Sequence, residues 1–275
     1  MAIDYEVEYN NRARVPEHPQ IFERWVREGA AYRDEATKEG RTEIGLKYGP
    51  SPRQTIDIFK PRGGGKGPLV LFIHGGYWRS LEPSSFSQVA RGMNAHGVTV
   101  AVSGYDLVPQ VSIGQIIEQT QAACLALWKK LGQRIMVSGH SAGGHLAACM
   151  MATDWKKLDA SAPADLITVG YAISGLYDLE VLMHLSGNAE FKLDAAEARR
   201  ISPLFWPVGT GHVLDAVVGG GGLVLIPAML IAQPGLPIAT ALGTNKLAAV
   251  FGTASAAWRY VRHVRIDLRR LIPVF

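Results

Sequence analysis

Residues 139–144, Gly-His-Ser-Ala-Gly-Gly, restrict the folding of this chain more than any other segment. They follow RIMVS (134–138), an apolar run of strand character, and lead into AGGHLAACMMA (142–152), with apolar residues at helical spacing. A strand that enters a helix through G-x-S-x-G must turn sharply, lifting the central hydroxyl clear of the sheet and setting it at a helix N-terminus. The flanking positions must be small because neighbouring backbone passes close by, and Gly139 and Gly143 meet that need. Ser141 is therefore the candidate nucleophile, with the N–H of Ala142 aimed where an oxyanion would develop.

A second glycine pair lies after a second buried-strand pattern. Leu69–Ile73 is continuously apolar, as expected for a strand covered on both faces, and His74-Gly75-Gly76-Tyr77-Trp78 follows it directly. Gly75 and Gly76 are the candidates for the remaining oxyanion donors. His74 reads as a structural residue bonded within its own loop. Tyr77 and Trp78 either border an acyl pocket or serve as packing aromatics. Elbow and loop together predict a serine hydrolase.

The rest of the first 218 residues supplies the matching scaffold. Strand patterns occur at 44–48, 55–59, 98–102, 167–173 and 213–218, and helical patterns at 17–39, 84–96, 113–131, 179–185 and 194–200. The alternation predicts an α/β fold, a mostly parallel sheet with helices on both faces, over residues 1–218. Beyond Asp215 the texture changes: 30 residues up to Lys246 carry no charge, opening with four glycines at 219–222. Residues 219–275 are expected to form a hydrophobic helical tail, leaving the sheet without its last strands.

Charge follows the same division. Residues 209–275 hold six Lys/Arg against Asp215 and Asp267, a balance of +4 that equals the net charge of the whole chain. The first 208 residues are thus neutral, which gives no footing for nucleic acid. Cys124 and Cys149 lie in apolar helical patterns without metal or redox spacing and fit buried thiols in a reducing compartment. The polar N-terminus lacks the apolar core of a signal peptide, so the expected location is cytoplasmic. No metal or cofactor is expected.

HGGYW (74–78), GHSAGGHLAA (139–148), SGLYDLE (174–180) and EARRISPLFWPV (197–208) resemble the kynurenine formamidase (arylformamidase) branch of the α/β-hydrolases over roughly residues 1–220. Tyr-Trp after HGG departs from the HGGG of the lipase and esterase branch. The resemblance implies metal-free hydrolysis of N-formyl-L-kynurenine to kynurenine and formate in tryptophan catabolism. It implies Ser141 as nucleophile, Gly75, Gly76 and Ala142 as oxyanion donors, and Tyr77 and Trp78 beside an aromatic substrate. The implied partner is a small formylated aromatic amine or an ester.

The acid and histidine that complete such a site belong after the strand at 213–218, in that order. Neither family context is found there. Asp215 falls within the strand, Asp178 reads as a structural or pocket residue, and His145 stands only four positions from Ser141. His184 and His212 precede the place where the acid belongs, and His263 lies in the basic run RHVR. No acid or base is assigned, and efficient hydrolysis is not expected.

From about residue 213, GGGGLVLIP and ALGTNKLAA resemble the opening of the sulfite-exporter (TauE/SafE-like) membrane permeases. The string DAVVGG (215–220) suits both families, which implies a fusion joined at that point. The resemblance implies membrane association through 219–275; docking of that tail on the hydrolase sheet is the alternative. The leading expectation is an arylformamidase-like hydrolase of impaired activity. The alternatives are a general carboxylesterase and a membrane-associated permease-like fragment or inactive fusion product.

Overall fold

The structure, a computed structural model, describes residues 4–10, 12, 15–64 and 67–206, together with the backbone of 212–216. Its centre is β3 (Leu69–Ile73), every residue of which is buried, as the unbroken apolar run requires. Around it lie β1 (Thr42–Lys47), β2 (Thr55–Phe59), β4 (Thr99–Ser103), β5 (Ile135–His140), β6 (Ile167–Ile173) and β7 (His212–Ala216), in the order β1-β2-β4-β3-β5-β6-β7. The pairs β3/β4, β3/β5 and β5/β6 are parallel, with Leu69 opposite Thr99 and Val70 opposite Met136. The pairs β1/β2 and β2/β4 run antiparallel, so parallel pairing holds the centre of the sheet and a hairpin forms one edge.

Eight α-helices stand among the described residues: α1 (Tyr5–Tyr9), α2 (His18–Lys38), α3 (Val89–Ala95), α4 (Ile113–Leu131), α5 (Ala142–Met151), α6 (Trp155–Leu158), α7 (Asn188–Phe191) and α8 (Ala195–Arg200). The ends of α4 show how sequence sets a boundary. Ser112 Oγ accepts the Gln115 N–H while Gln115 Oε1 accepts the Ser112 N–H, a reciprocal cap. At the other end Gly132, at φ 66°, turns its N–H to the Trp128 carbonyl at 2.7 Å.

Alternate strand residues feed two cores. Leu71, Ile73, Ala101 and Val137 meet Ile116, Cys124 and Leu127 of α4 and Leu146, Ala147 and Met150 of α5. Phe59, Phe72, Val100 and Val102 meet Tyr32 and Ala36 of α2 and Ala90 of α3. Each such side chain contributes about 1.5–3 kcal/mol when fully buried. Both cysteines are free and buried.

Two predicted helices are tighter than their patterns suggest. The 84–96 segment divides into a 3₁₀ turn, Pro83–Phe86, and α3; Ser87 Oγ donates back to the Ser84 carbonyl at 3.1 Å, competing with the helical ladder. The 179–185 segment is a 3₁₀ turn at Glu180–His184, whose entry is fixed by Asp178 Oδ1 accepting the Glu180 N–H. The chain divides into two units, 1–215 and 216–275. The expected hydrophobic tail, and with it the expected loss of the last strands, lies outside the described residues. Among the described residues, no helix is long and apolar enough to cross a membrane.

Candidate active site

Ser141 joins β5 to α5 at φ 56° and ψ −118°. Backbone of this kind in a non-glycine residue costs about 1–3 kcal/mol and persists only where the surroundings dictate it. Here the Ser141 N–H donates to the Ile173 carbonyl at 2.8 Å, and the Ser141 carbonyl accepts the His145 N–H at 3.1 Å. The turn is thereby tied to the end of β6 on one side and to the first turn of α5 on the other.

The glycines around it are required by proximity. A Cβ on Gly139 would lie 2.2 Å from the Gly143 carbonyl oxygen, and one on Gly143 would lie 2.0 Å from the Ile73 oxygen. A Cβ on Gly144 would meet the Gly175 Cα at 2.9 Å. No side chain fits in these gaps, which is how helix and strands close tightly enough to raise the serine.

The two sequence motifs meet in space. A Cβ on Gly75 would lie 2.5 Å from the His140 carbonyl oxygen and 3.3 Å from the Ser141 Cβ, so the backbone of Gly75 lies directly against the elbow. Gly76, Tyr77 and Trp78 follow at φ 111°, 53° and 55°, three successive left-handed residues. Within the described residues, no hydrogen bond takes up the N–H of Gly75, Gly76 or Ala142. Of the three, Gly75 packs against Ser141 itself, Ala142 follows the serine in the chain, and Gly76 packs against Ser80.

Each of the two nearby buried histidines sets one ring nitrogen against a backbone carbonyl, while His74 Nε2 and His145 Nδ1 have no hydrogen-bond partner among the described residues. His74 is buried between the rings of Tyr105 and Phe86, with Nδ1 2.8 Å from the Gly75 carbonyl, while the Tyr105 hydroxyl donates to the His74 carbonyl at 2.7 Å. Burial brings its pKa down to about 4. His145 has Nε2 2.8 Å from the Ile201 carbonyl and is likewise brought down to about 4 by burial. The loop role expected of His74 matches its contact with the Gly75 carbonyl.

Trp78 is fully buried, its ring edge-on to those of His145 and Phe191 at 5.2 Å and 6.1 Å. Tyr77 is half-buried, and its hydroxyl donates to the Tyr9 carbonyl. Asp178 is exposed and caps its 3₁₀ turn, and His184 stacks on Tyr5. His212 and Asp215 lie in β7, and His263 is outside the described residues. Among the described residues, no hydrogen bond joins Ser141 Oγ to a histidine or carboxylate, and no three His, Cys, Asp or Glu side chains are placed to hold a metal ion.

Sequence patterning misses the contribution of the N-terminal segment, α1 and Arg12 beyond it. Tyr9 and Arg12 touch the loop after Gly75 from 68 positions away, and Glu6 reaches Ser186 from 180. No local spacing signals contacts at such separations.

Comparison with known proteins divides the chain in the same way. Residues 70–200 match the family model described as alpha/beta hydrolase fold, and residues 205–275 match Sulfite exporter TauE/SafE. Kynurenine formamidase of Danio rerio is 28% identical over 166 residues, 59% of this chain; the chain spans only 56% of that relative's length. A crystal structure of a candidate thioesterase from Silicibacter sp. is 33% identical with a TM-score of 0.72, covering 80% of this chain and 82% of its own. At the other end, a protein assigned as a membrane transporter in Sinorhizobium sp. is 46% identical over 61 residues, 22% of this chain and 23% of the relative.

Proposed function

This chain belongs to the α/β-hydrolase family over its N-terminal part, and on that premise we propose that it is a serine hydrolase of arylformamidase type acting on a formylated aromatic amine. Ser141 Oγ adds to the formyl carbon, and the carbonyl π pair moves onto oxygen, where the N–H groups of Gly75, Gly76 and Ala142 receive it. Collapse expels the arylamine, which takes up a proton, and water releases formate from the formyl-enzyme. The single observation carrying this reading is the backbone of Gly75 packed against Ser141 at the end of β5. Loss of one such donor costs about 10²–10³ in turnover. Tyr77 flanks the substrate, and Trp78, buried beneath the loop, supports it.

We propose further that this activity is impaired. Residues 205–275, where the acid and histidine of a hydrolase would follow, match the sulfite exporter family. A serine without its base loses on the order of 10⁴–10⁶ in turnover, while oxyanion and binding contributions remain. The proton of Ser141 then passes to water or hydroxide.

Hydrolysis of N-formylkynurenine and of p-nitrophenyl butyrate, each with Ser141→Ala as control, tests the substrate class. Slow, Ser141-dependent release of kynurenine supports the reading. Ester turnover without any formamide turnover overturns it in favour of a second reading, an esterase or thioesterase, which the 33% identical structure favours. The match over 205–275 supports membrane association of the full chain. Recovery of that chain as a monodisperse species in the soluble fraction would defeat it.

A further inference from the structure

The loop after Gly75 adopts a conformation that its own residues do not favour. Gly76, Tyr77, Trp78 and Leu81 all have positive φ, at 111°, 53°, 55° and 74°. Three of these carry side chains, for which the left-handed region is disfavoured. From below, buried Trp78 anchors the loop, its carbonyl accepting the Val108 N–H at 2.9 Å. From outside, the anchors come from the N-terminal segment. The Tyr77 hydroxyl donates to the Tyr9 carbonyl, and Arg12 Nη2 donates to Ser80 Oγ at 2.7 Å. Ser80 Oγ in turn donates to the Gly76 carbonyl at 2.9 Å, so Arg12 reaches a candidate oxyanion residue through one hydroxyl.

The N-terminal segment is held at its other end by a different part of the chain. Glu6 accepts the Ser186 N–H at 2.9 Å and the Ser186 hydroxyl at 3.1 Å, and the Tyr5 ring stacks on His184 at 4.9 Å. At five residues α1 is too short to persist alone, so these contacts decide whether it is present. It therefore spans from 184–186, after β6, to the oxyanion loop after β3.

We propose that the N-terminal segment, α1 together with Arg12, braces the oxyanion loop, with Tyr9 and Arg12 as positioning residues for the acyl-transfer site and Glu6 as the anchor of the brace. This rests on the reading of Gly75 and Gly76 as oxyanion donors. Glu6 makes no hydrogen bond to Ser141 or the loop, and beyond the pull of its charge on the Tyr77 phenol its effect on the site passes through α1. Releasing the brace leaves the donors in place but lets them wander. The loss is about tenfold, below the roughly 10²–10³ of removing a donor outright.

The test uses the full chain with Glu6→Ala, Glu6→Gln and Tyr77→Phe. Amide hydrogen exchange is followed across the protein, and the rate of fluorophosphonate labelling of Ser141 is measured at pH 9. In Glu6→Ala and Tyr77→Phe, amides of 77–81 exchange at least about fivefold faster while α2 and α4 are unchanged, and labelling slows about tenfold. Glu6→Gln lies between, because its amide oxygen still accepts the Ser186 N–H. Unchanged exchange at 77–81 in both variants overturns the brace, as does a uniform rise through α2 and α4, the sign of general destabilisation. If Ser141 of the unaltered chain does not label yet the 77–81 amides respond, the brace stands and the nucleophile reading fails. Normal labelling that no variant alters, with exchange unmoved, overturns the brace and leaves the nucleophile reading standing.

Discussion

Gly143→Ala measures how tightly the elbow is closed. The added methyl would lie 2.0 Å from the Ile73 oxygen, 2.7 Å from the His74 oxygen and 2.8 Å from the Ile73 carbonyl carbon, whereas real Cβ contacts essentially never fall under 3.0 Å. The N-terminus of α5 must therefore move from β3 by at least the 1.0 Å difference, and every obstructing atom is backbone. Overpacking of this kind costs about 1–3 kcal/mol, and rigid neighbours on a central strand place this case near the upper end, at about 3 kcal/mol. At roughly 2–4 °C per kcal/mol for a domain of this size, the melting midpoint falls by about 6–12 °C. Gly92→Ala is the control: nothing lies within 4 Å of its added methyl, and it sits inside α3. That change stabilises by roughly 0.5–1 kcal/mol because alanine loses less backbone freedom in a helix. Thermal and urea unfolding of both variants decide the matter. If Gly143→Ala melts with the unaltered protein, the close approach of helix to strand that lifts Ser141 is refuted.

Ser141→Gly removes the hydroxyl and relieves a backbone at φ 56°, so it gains about 1 kcal/mol in urea unfolding while losing all labelling; a stability loss would count against strain at the elbow. His74 and His145 have folded-state pKa values brought from 6.5 to about 4, so the stability they contribute is present above pH 6.5 and lost as pH falls toward 4. The slope is at most roughly 1.4 kcal/mol per pH unit per histidine, and urea midpoints that stay flat between pH 7 and 4.5 would contradict it. Burial pushes the Cys124 and Cys149 thiols up, so both react with a disulfide reagent only at the rate of unfolding; immediate reaction of the native chain would place one of them at the surface.

How far the sequence speaks depends on how local the cause is. Leu69–Ile73 reads as a doubly covered strand because the apolar run is continuous, and the structure buries all of it. Gly139 and Gly143 are legible for the same reason: the turn type fixes what can stand there, and the gaps of 2.2 Å and 2.0 Å agree. Pro83 and Ser87 hide a 3₁₀ turn inside a helical pattern, since apolar spacing is blind to a side chain that competes for a carbonyl. In sequence the orientation of Trp78 stays open between pocket and packing, because a loop residue at φ 55° follows neither helical nor strand periodicity. Contacts such as Glu6 with Ser186 have no local signature at all.

On the proposed reading the chain keeps a nucleophile and oxyanion donors, while residues matching another family stand where the acid and base of a hydrolase belong. The most direct measurement is the rate of fluorophosphonate labelling of the full chain against pH, with Ser141→Ala as blank. A serine without a base reacts through hydroxide, so the expected result is slow labelling, confined to Ser141, that rises about tenfold per pH unit from 7 to 9 without levelling. Fast labelling that levels off above an apparent pKa near 7 would contradict it, since that profile belongs to a serine activated by a histidine.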